Sequence, residues 1–501
     1  MGFHHYQLHS YGSAGDPVSK TEILYKDIAV GADENAVVTS GSAQDFSDVT
    51  RLPFGGDSAR IVTLEANHWL LDGTFQMIDP WTPGFWSSTM SDENGLFENP
   101  PEIDISFSKQ FSSTGITLAF DTAANNWPVR INIKWYQQEE LKSDMDFAPN
   151  ASTYFCVNKV ESYDRVVITI LETDYPYRYA KLEQIIFGTL RRFGMNKLRK
   201  AQIVNEMSLL ASELPISKLD WTLDDRDDVD YLFQLKQPIE VSNDGRLIGV
   251  YYIDEADRVT KSIYDIGCYD AIGVLDESPF SGGVYTNKSA IALLNEIVGD
   301  AFELVIEVED TNLTGIIKAG SKREALQQLL FAWGACASTD GSAAIRIFNP
   351  PDDPIEVGKG RTFPNVKVGT SAIVTEVHVY AHTYAQADNG SVTINGVKYS
   401  DTETLYTVTN PDVTAVDKAN VKEVKSATLV SPAIGQAVAQ RVYDYYARRN
   451  TITGTIVWDG EYLGDSVTIP NSWGTESTGN LTKMTVKLSN TVVYDGTARG
   501  I

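Results

Sequence analysis

Aromatic residues in one Pro/Gly-containing segment are the best candidates for ligand binding in this 501-residue chain. The segment reads Trp81-Thr-Pro-Gly-Phe-Trp86 and lies between patterns that predict strands. Flat aromatic rings presented on a loop can stack on a sugar, and nearby polar groups can bind its hydroxyls. The predicted glycan-binding residues are Trp81, Phe85, Trp86 and Asp92. The alternative is that these rings close one end of a β-structure or contact a neighbouring subunit.

Histidines form two groups whose spacing bears on metal binding. His378 and His382 fall on one face of a predicted strand, roughly 13 Å apart, which is too far for one ion. His4, His5 and His9 could chelate nickel or copper weakly, but a chance cluster on a terminal arm is the preferred interpretation. We therefore predict no metal site and no cofactor.

The sequence contains no other clear signature of a metal site or of catalysis. The densest acidic run, residues 220–230, lacks the glycine that a calcium loop needs for its turn, so a solvated loop is preferred. The sequence contains no Gly-x-Ser-x-Gly elbow, no His-Glu-x-x-His motif and no Walker loop. Nothing singles out a glycosidase pair among its 67 acidic residues. We predict that the chain is not an enzyme.

The composition argues against several other classes of function. A net charge of −26 repels nucleic acid and anionic membranes, so neither is predicted as a partner. Three cysteines without CxxC spacing predict neither a disulfide framework nor a zinc knuckle. We expect no signal peptide and no transmembrane helix, because the N-terminus lacks an apolar core and no long apolar run occurs. Folding in a bacterial cytoplasm, followed by release through lysis, fits these features.

The N-terminal part is predicted to be an arm followed by a β-sandwich. Residues 1–25 are polar and Gly/Ser-rich, which is typical of a flexible or docking arm. Residues 26–188 alternate apolar and polar side chains, as at Ile103, Ile105 and Phe107, which predicts strands with one buried face. We expect a sandwich of jelly-roll type.

This region resembles discoidin-like, carbohydrate-binding sandwiches. The resemblance rests on the segment Leu64-Glu-Ala-Asn-His-Trp-Leu-Leu-Asp-Gly73, on the strand around Arg178, and on Ile185-Ile-Phe-Gly188. It implies a glycan-binding module of about 150 residues.

The rest of the chain predicts strands on both sides of a small α/β domain. We expect a first β-barrel part at 189–276, the α/β domain at 277–350, and a second barrel part at 351–501. A basic cluster at 191–200 is either a solvated turn or a contact with an acidic neighbour in an assembly. With about three or four domains expected from its length, the chain is predicted to be a mainly β, multidomain protein with α+β insertions.

Three helices have readable ends. Ser321 and Glu324 have capping-box spacing, and Gly334 is placed to end that helix. A second helix is predicted from Asn287 to Val298, with Thr286 or Asn287 as its N-cap. The third, at 431–449, would begin with Ser431 as cap and Pro432 in the first turn.

The C-terminal 300 residues resemble the trimeric hub proteins at the tip of phage tails and of tail-like bacteriocins. The residues that carry this resemblance are the strands at 247–253 and 262–275, the capped helix and strand at 321–348, and the late helix followed by Gly464-Asp-Ser-Val-Thr-Ile469. The family implies barrel-like β domains around an α/β insertion.

The resulting hypothesis is a baseplate or tail-tip hub that assembles as a homotrimer at the distal end of the tail tube. We expect the trimer interface to use barrel edges in 205–276 and 451–495, because a shared barrel leaves no free edge strand. Its partners would be its own copies, the tail tube, other baseplate proteins and a host cell-wall glycan. The alternative function is host attachment through glycan binding, with the sandwich as the active module.

Overall fold

The computed structural model describes residues 20–55, 65, 84–122, 124–226, 233–414, 416–471, 473–489 and 491–500. Strands outnumber helices throughout these ranges, and they form several separate sheets. The predicted mainly β, multidomain fold class is confirmed. No helix in the described ranges is long and apolar enough to cross a membrane.

The described residues divide into two compact units. The first unit is residues 26–191, and the second unit combines residues 20–25 with 192–500. Strand β1 (Thr21–Ile28) runs out of the second unit into the first, and strand β10 (Gly188–Gly194) returns. The first unit is therefore an insertion in the sequence of the second.

Strand β1 differs from the arm expected at residues 1–25. Its alternate side chains, including Ile23 and Tyr25, are buried, and residues 21–25 pair with residues 239–243. The period-two pattern over Thr21–Ile28 is short, and polar residues precede it. The composition of residues 1–25 therefore did not indicate this strand, which is stabilised by a partner distant in the sequence.

The first unit contains one large sheet and one strand pair. Its further elements are α1 (Ala32–Asn35), β2 (Ala36–Thr39), β3 (Phe85–Met90), β4 (Glu102–Ala119), β5 (Pro128–Gln137), β6 (Glu140–Phe147), β7 (Thr153–Thr173), β8 (Tyr179–Leu182) and β9 (Gln184–Ile186). The large sheet has the order β2-β4-β7-β5-β6, with β9 also on β4, and β3 pairs with β8.

Alternation along the sequence of the first unit corresponds to burial. Ile103, Ile105 and Phe107 on β4 are at most 9% exposed, while the residues between them face outward. Strand β7 pairs with both β4 and β5. The apolar run 166–171 therefore lies in the middle of the sheet, as its composition predicts.

The second unit contains the remaining elements. Up to residue 350 they are β11 (Leu198–Glu206), β12 (Lys218–Asp224), β13 (Pro238–Asn243), β14 (Arg246–Arg258), β15 (Ile263–Tyr269), α2 (Ala271–Asp276), β16 (Pro279–Phe280), β17 (Gly283–Ser289), α3 (Ala290–Val298), β18 (Leu304–Ile306), β19 (Asn312–Ile317), β20 (Gly320–Ser321), α4 (Lys322–Trp333), β21 (Cys336–Ser338) and β22 (Ile345–Phe348). Beyond it they are β23 (Ile355–Glu356), β24 (Lys367–Thr370), β25 (Glu376–Gln386), β26 (Val392–Ile394), β27 (Val397–Thr409), β28 (Val421–Val424), α5 (Gly435–Ala447), β29 (Asn450–Val457), β30 (Ser466–Pro470), β31 (Glu476–Lys487) and β32 (Val493–Gly500).

A single 13-stranded sheet joins the two regions that were predicted as separate barrel parts. Its order is β10-β1-β13-β14-β15-β12-β11-β31-β32-β29-β24, with β30 on β31 and β23 on β30. The joint is the antiparallel pair β11–β31, in which Ile203 lies opposite Val486. Both side chains are buried in a core that draws on strands from each region.

The sheet order corrects the predicted position of the trimer edges. Every strand named in 205–276 and 451–495 has a neighbour on both sides, so none of them is an edge. The main path of the described sheet ends instead at β10 and β24. The prediction failed because it placed the two barrel parts in different sheets.

A second core in this unit is built from helices and short strands. Helices α3 and α4 supply its centre through Leu294, Leu326 and Leu330, all fully buried. The same core continues into β25 and α5, beyond the 277–350 range expected for an α/β domain. The remaining small sheets are the β18-β22-β21 and β26-β27-β25-β28 sheets and the pairs β16–β20 and β17–β19.

The α4 ends agree with the sequence, and two other helix starts do not. Ser321 and Glu324 form a capping box, and Gly334 ends the helix with a left-handed φ of 89°. Helix α3 begins only at Ala290, with Ser289 as its N-cap, because pairing of β17 with β19 holds the preceding residues in a strand.

Helix α5 begins at Gly435 rather than near Ser431. The Ile434 amide donates to the Ser431 carbonyl, which makes a turn there. The Tyr406 hydroxyl donates to the Pro432 carbonyl at 2.9 Å. A partner from β27 thus satisfies a carbonyl that an earlier helix start would have used.

Candidate functional site

The aromatic residues predicted to bind sugar lie in a strand wherever the structure describes them. Phe85 and Trp86 begin β3, and their side chains are 0% and 6% exposed. Trp81 is outside the described residues. The expected exposed loop is therefore wrong for Phe85 and Trp86, because pairing of β3 with β8 turns these rings into the core.

Trp86 covers a buried cluster of charges. The Lys181 ammonium lies 4.5 Å from the centre of the Trp86 ring, and the Tyr179 ring stacks at 6.4 Å. Lys181 Nζ also donates to Glu65 at 3.0 Å and to Asp121 at 3.1 Å. The three charged side chains are 5%, 0% and 8% exposed, respectively. Trp86 therefore lies against an ion cluster that is almost fully removed from water.

Asp92 is the exposed member of the predicted glycan set, and it shapes a turn. Its Oδ1 accepts from the backbone N–H groups of Asn94 at 2.7 Å and Leu96 at 2.9 Å. Those bonds, first from Leu96 and then from Asn94, lower the pKa of the Asp92 carboxyl. One oxygen is thus already engaged, and sugar binding at this position stays a prediction.

The basic cluster at 191–200 and the acidic run at 220–230 contact each other. Lys197 Nζ is 2.7 Å from Asp225, and Arg199 is 2.7 Å from Asp224. Arg199 is the main cause of a lowered pKa at Asp224. Strands β11 and β12 are antiparallel neighbours, which brings the two charge runs together. This pairing could not be predicted from the sequence, because it depends on the register between β11 and β12. The alternative of an assembly contact for the basic cluster stays open.

The second unit also holds acidic groups that sequence reasoning missed, of which Asp340 is half-buried and Asp270 is buried. Asp340, just after β21, accepts from Asn205 Nδ2 at 2.7 Å and from the Leu463 N–H at 3.1 Å. Asn205 Oδ1 in turn accepts from the Tyr251 hydroxyl at 3.0 Å. The network links β11, β14, β21 and the segment before β30. Burial raises the pKa of Asp340 to about 7.

Asp270 is the second buried carboxyl of this network, and it caps α2. It accepts from the Gly273 N–H at 3.1 Å and from the Thr339 hydroxyl at 3.0 Å. Burial raises the pKa of the Asp270 carboxyl to about 6 despite these bonds. Desolvation therefore outweighs donors that would otherwise favour the charged form.

A cavity beside this network is too small for a substrate. It has a volume of ≈ 10 Å³ and is lined by Asp270, Thr339, Leu463 and neighbouring residues. That is roughly the space of one water molecule. The buried carboxyls consequently act on stability and on the fit between segments.

The strand at one end of the described sheet in the second unit is exposed. Strand β24 pairs with β29 on one side and ends the main path of the described sheet on the other. Its residues are exposed except for the half-buried Val368. A strand with unpaired backbone groups is a template for pairing with another chain.

Comparisons with known proteins give structural matches only. No protein-family model matches the sequence. No curated protein matches it either. A tail protein from Neisseria meningitidis MC58 aligns with 62% of this chain and 93% of its own at 11% identity, with a TM-score of 0.45. The prophage MuSo2 43 kDa tail protein from Shewanella oneidensis aligns over 62% and 95%, at 10% identity and a TM-score of 0.44.

A third match is the prophage tail protein gp18 from Listeria monocytogenes EGD-e. It covers 61% of this chain and 91% of its own at 10% identity, with a TM-score of 0.40. TM-scores below 0.5 do not establish a shared fold, so no family is assigned from these matches.

Proposed function

We propose that this chain is a structural, non-enzymatic component of a phage tail or tail-like particle, forming a trimeric hub at the distal end of the tail tube. One observation carries the proposal: the α/β core interrupts, in sequence, a set of strands that nevertheless form one sheet through the β11–β31 pair. The hub proteins that the sequence resembles have β domains around an α/β insertion. The described second unit has that order.

The insertion of the first unit supports the same proposal. Strands β1 and β10 connect residues 26–191 to the second unit at both ends, so the first unit is a module inserted in the sequence of the second. An insertion of this kind decorates a hub without interrupting its sheet. In the proposed particle it would lie among other baseplate proteins or face the host.

The proposed trimer contact uses β24. No strand of the described ranges pairs with its outer side, whereas the strands in 205–276 and 451–495 are paired on both sides. Pairing between copies would extend the sheet and remove an edge that otherwise favours aggregation.

The first test is the mass of the full chain in solution and its place in the native particle. Light scattering at micromolar protein should give three times the mass of one chain. Electron microscopy of the particle with a bound antibody against the first unit should show label at the distal tail end. A single-chain mass, together with label elsewhere on the particle, would contradict the proposal.

The second test is hydrogen exchange of β24 across a dilution series. Amides of Lys367–Thr370 should exchange more slowly when the chain is assembled than when dilution dissociates it. Strand β26, which ends a different sheet, is the matched control and should exchange equally in both states. If the chain is a trimer but the β24 amides are not protected, the proposed hub function would stand and the proposed β24 interface would be rejected.

A further inference from the structure

Three side chains with metal-binding atoms converge on the β25–β27 hairpin. His382 on β25 lies directly opposite Glu403 on β27, and Asp401 is two residues away on the same face. The nearest ligand atoms of the three side chains all lie within 4.8 Å of one another. The sequence analysis excluded a metal ion shared by His378 and His382, because the two lie too far apart. The cluster described here contains only His382 of that pair.

The hydrogen bonds of His382 leave one ring nitrogen facing negative charge. Nε2 is 3.1 Å from the Lys425 carbonyl oxygen, which can only accept, so Nε2 carries a proton. Nδ1 is 3.0 Å from both Asp401 carboxylate oxygens. With that proton on Nε2, a neutral ring has a lone pair at Nδ1, and an electron-rich nitrogen and a carboxylate at this distance need either a shared proton or a bound cation between them.

Other contacts favour the bound cation. A histidine that binds a metal usually donates its other N–H to a carbonyl or carboxylate, as Nε2 does here. An ion pair with Asp401 has no need of Glu403, whereas a metal gains a third ligand from it. The nearby Lys425 ammonium makes its ion pair with Glu423, at 2.9 Å, and lies over the Tyr380 ring, and Glu403 also interacts with its charge.

The surroundings of His382 are also partly closed. The Tyr384 ring stacks on the His382 ring at 5.8 Å, and its hydroxyl has no hydrogen-bond partner among the described residues. His382 is 4% exposed while Glu403 is exposed, so an ion could enter from solvent and keep water in its open positions.

We propose that His382 Nδ1, Asp401 and Glu403 bind one divalent transition-metal ion, such as Zn²⁺. Three protein ligands with an open position are common for Zn²⁺. The imidazole nitrogen disfavours Mg²⁺ and Ca²⁺, which prefer oxygen ligands. The ion would cross-link β25 to β27.

The test is metal titration of the full chain in a background that lacks His4, His5 and His9, since these could bind metal independently. Calorimetry with Zn²⁺ and elemental analysis after dialysis should give one ion per chain. With Co²⁺ the same site should show visible absorption from the bound ion. His382→Ala should lose this binding.

His378→Ala is the matched control. His378 lies on the same strand but is not part of the cluster, and its Nε2 is 2.8 Å from the Glu376 carboxylate. This variant should bind Zn²⁺ like its parent. Glu403→Gln provides a second variant at an exposed position, where folding is not at risk, and should weaken binding at least about 10-fold.

Two outcomes would overturn the proposal. If the parent binds no Zn²⁺, the cluster is not a metal site and the contact between His382 and Asp401 is a hydrogen bond. If His382→Ala and Glu403→Gln bind Zn²⁺ as the parent does, the binding is adventitious. A loss confined to His382→Ala and Glu403→Gln, with both proteins folded by circular dichroism, supports the site.

Discussion

The two units bury charge in opposite ways. In the first unit, Lys181 lies between Glu65 and Asp121, so the buried carboxylates have a cation beside them. In the second unit, Asp340 and Asp270 are held by neutral donors: an amide, a hydroxyl and backbone N–H groups. The first arrangement depends on keeping its ion pairs intact. The second depends on how much of the time its carboxyls carry a proton.

This difference shows what each network contributes. A buried ion pair gives little net stability over an apolar replacement, but it is costly to break from one side. A buried carboxyl with neutral donors makes stability depend on pH, because burial raises its pKa. The two units should therefore respond differently to mutation and to pH, and three experiments can break or sharpen the comparison.

The largest effect is expected from Lys181→Ala. The change removes the ammonium from between two carboxylates that are almost fully buried, and such losses typically cost about 3–5 kcal/mol. Hydrogen exchange of the β8 amides should show that the free energy of opening falls by about this amount. The β25 amides, in the other unit, should not change.

Lys142→Ala is the control for that experiment. Lys142 lies on β6 in the same unit and is exposed, so its loss should change the opening free energy by less than about 0.5 kcal/mol. Equal effects of the two substitutions would mean that the Lys181 cluster contributes no special stability.

An intermediate effect is expected from pH on the second unit. An aspartate near 3.8 when unfolded and about 7 when folded binds more protons in the folded state between those values. The contribution of Asp340 to the free energy of unfolding is thus fully present below about pH 4 and is lost as pH rises towards about 7. The slope from one such group is at most about 1.4 kcal/mol per pH unit. Calorimetry across this window should reveal it.

Asp340→Asn separates this group from the other carboxyls. The amide group that replaces the carboxyl cannot titrate, so the slope of stability against pH should shrink. The free energy of unfolding should also fall, because the new Nδ2 group would face another N–H donor. Asp92→Asn is the control, since Asp92 lies in an exposed turn of the first unit. An unchanged slope in Asp340→Asn would remove Asp340 from this account.

The smallest effect is expected from a local motif of the second unit. Ser321→Ala removes the N-cap of α4 and should lower stability by about 1 kcal/mol. Glu324→Gln keeps an acceptor for the Ser321 N–H and should cost less. Urea unfolding of the full chain followed at the helical signal measures both. A larger loss in Glu324→Gln would indicate that its charge, rather than the capping box, is what stabilises this helix end.

Sequence reasoning succeeded where neighbours in the chain decide the outcome. The Ser321–Glu324 box and the Gly334 helix end rest on spacings of a few residues, and both are present. The buried face of β4 follows from alternation at Ile103, Ile105 and Phe107, because successive side chains of a strand point to opposite faces. The mainly β class follows from the same pattern.

Only the tertiary structure decided which strands meet. Pairing of Ile203 with Val486 joins regions that the sequence separates by the whole α/β core, and no local pattern encodes that register. The same pairing removed the edges on which the expected trimer contact relied.

The candidate sites divide in the same way. Residue types alone placed Trp86 on a predicted sugar-binding loop, and pairing of β3 with β8 put it over Lys181 instead. His382, Asp401 and Glu403 are ordinary residues in the sequence, and the β25–β27 register brings their ligand atoms together. Spacing along the chain determined the elements of this protein, because covalent geometry fixes which neighbours share a face. Contacts between distant strands determined its sites, because their register depends on the packing of the whole unit.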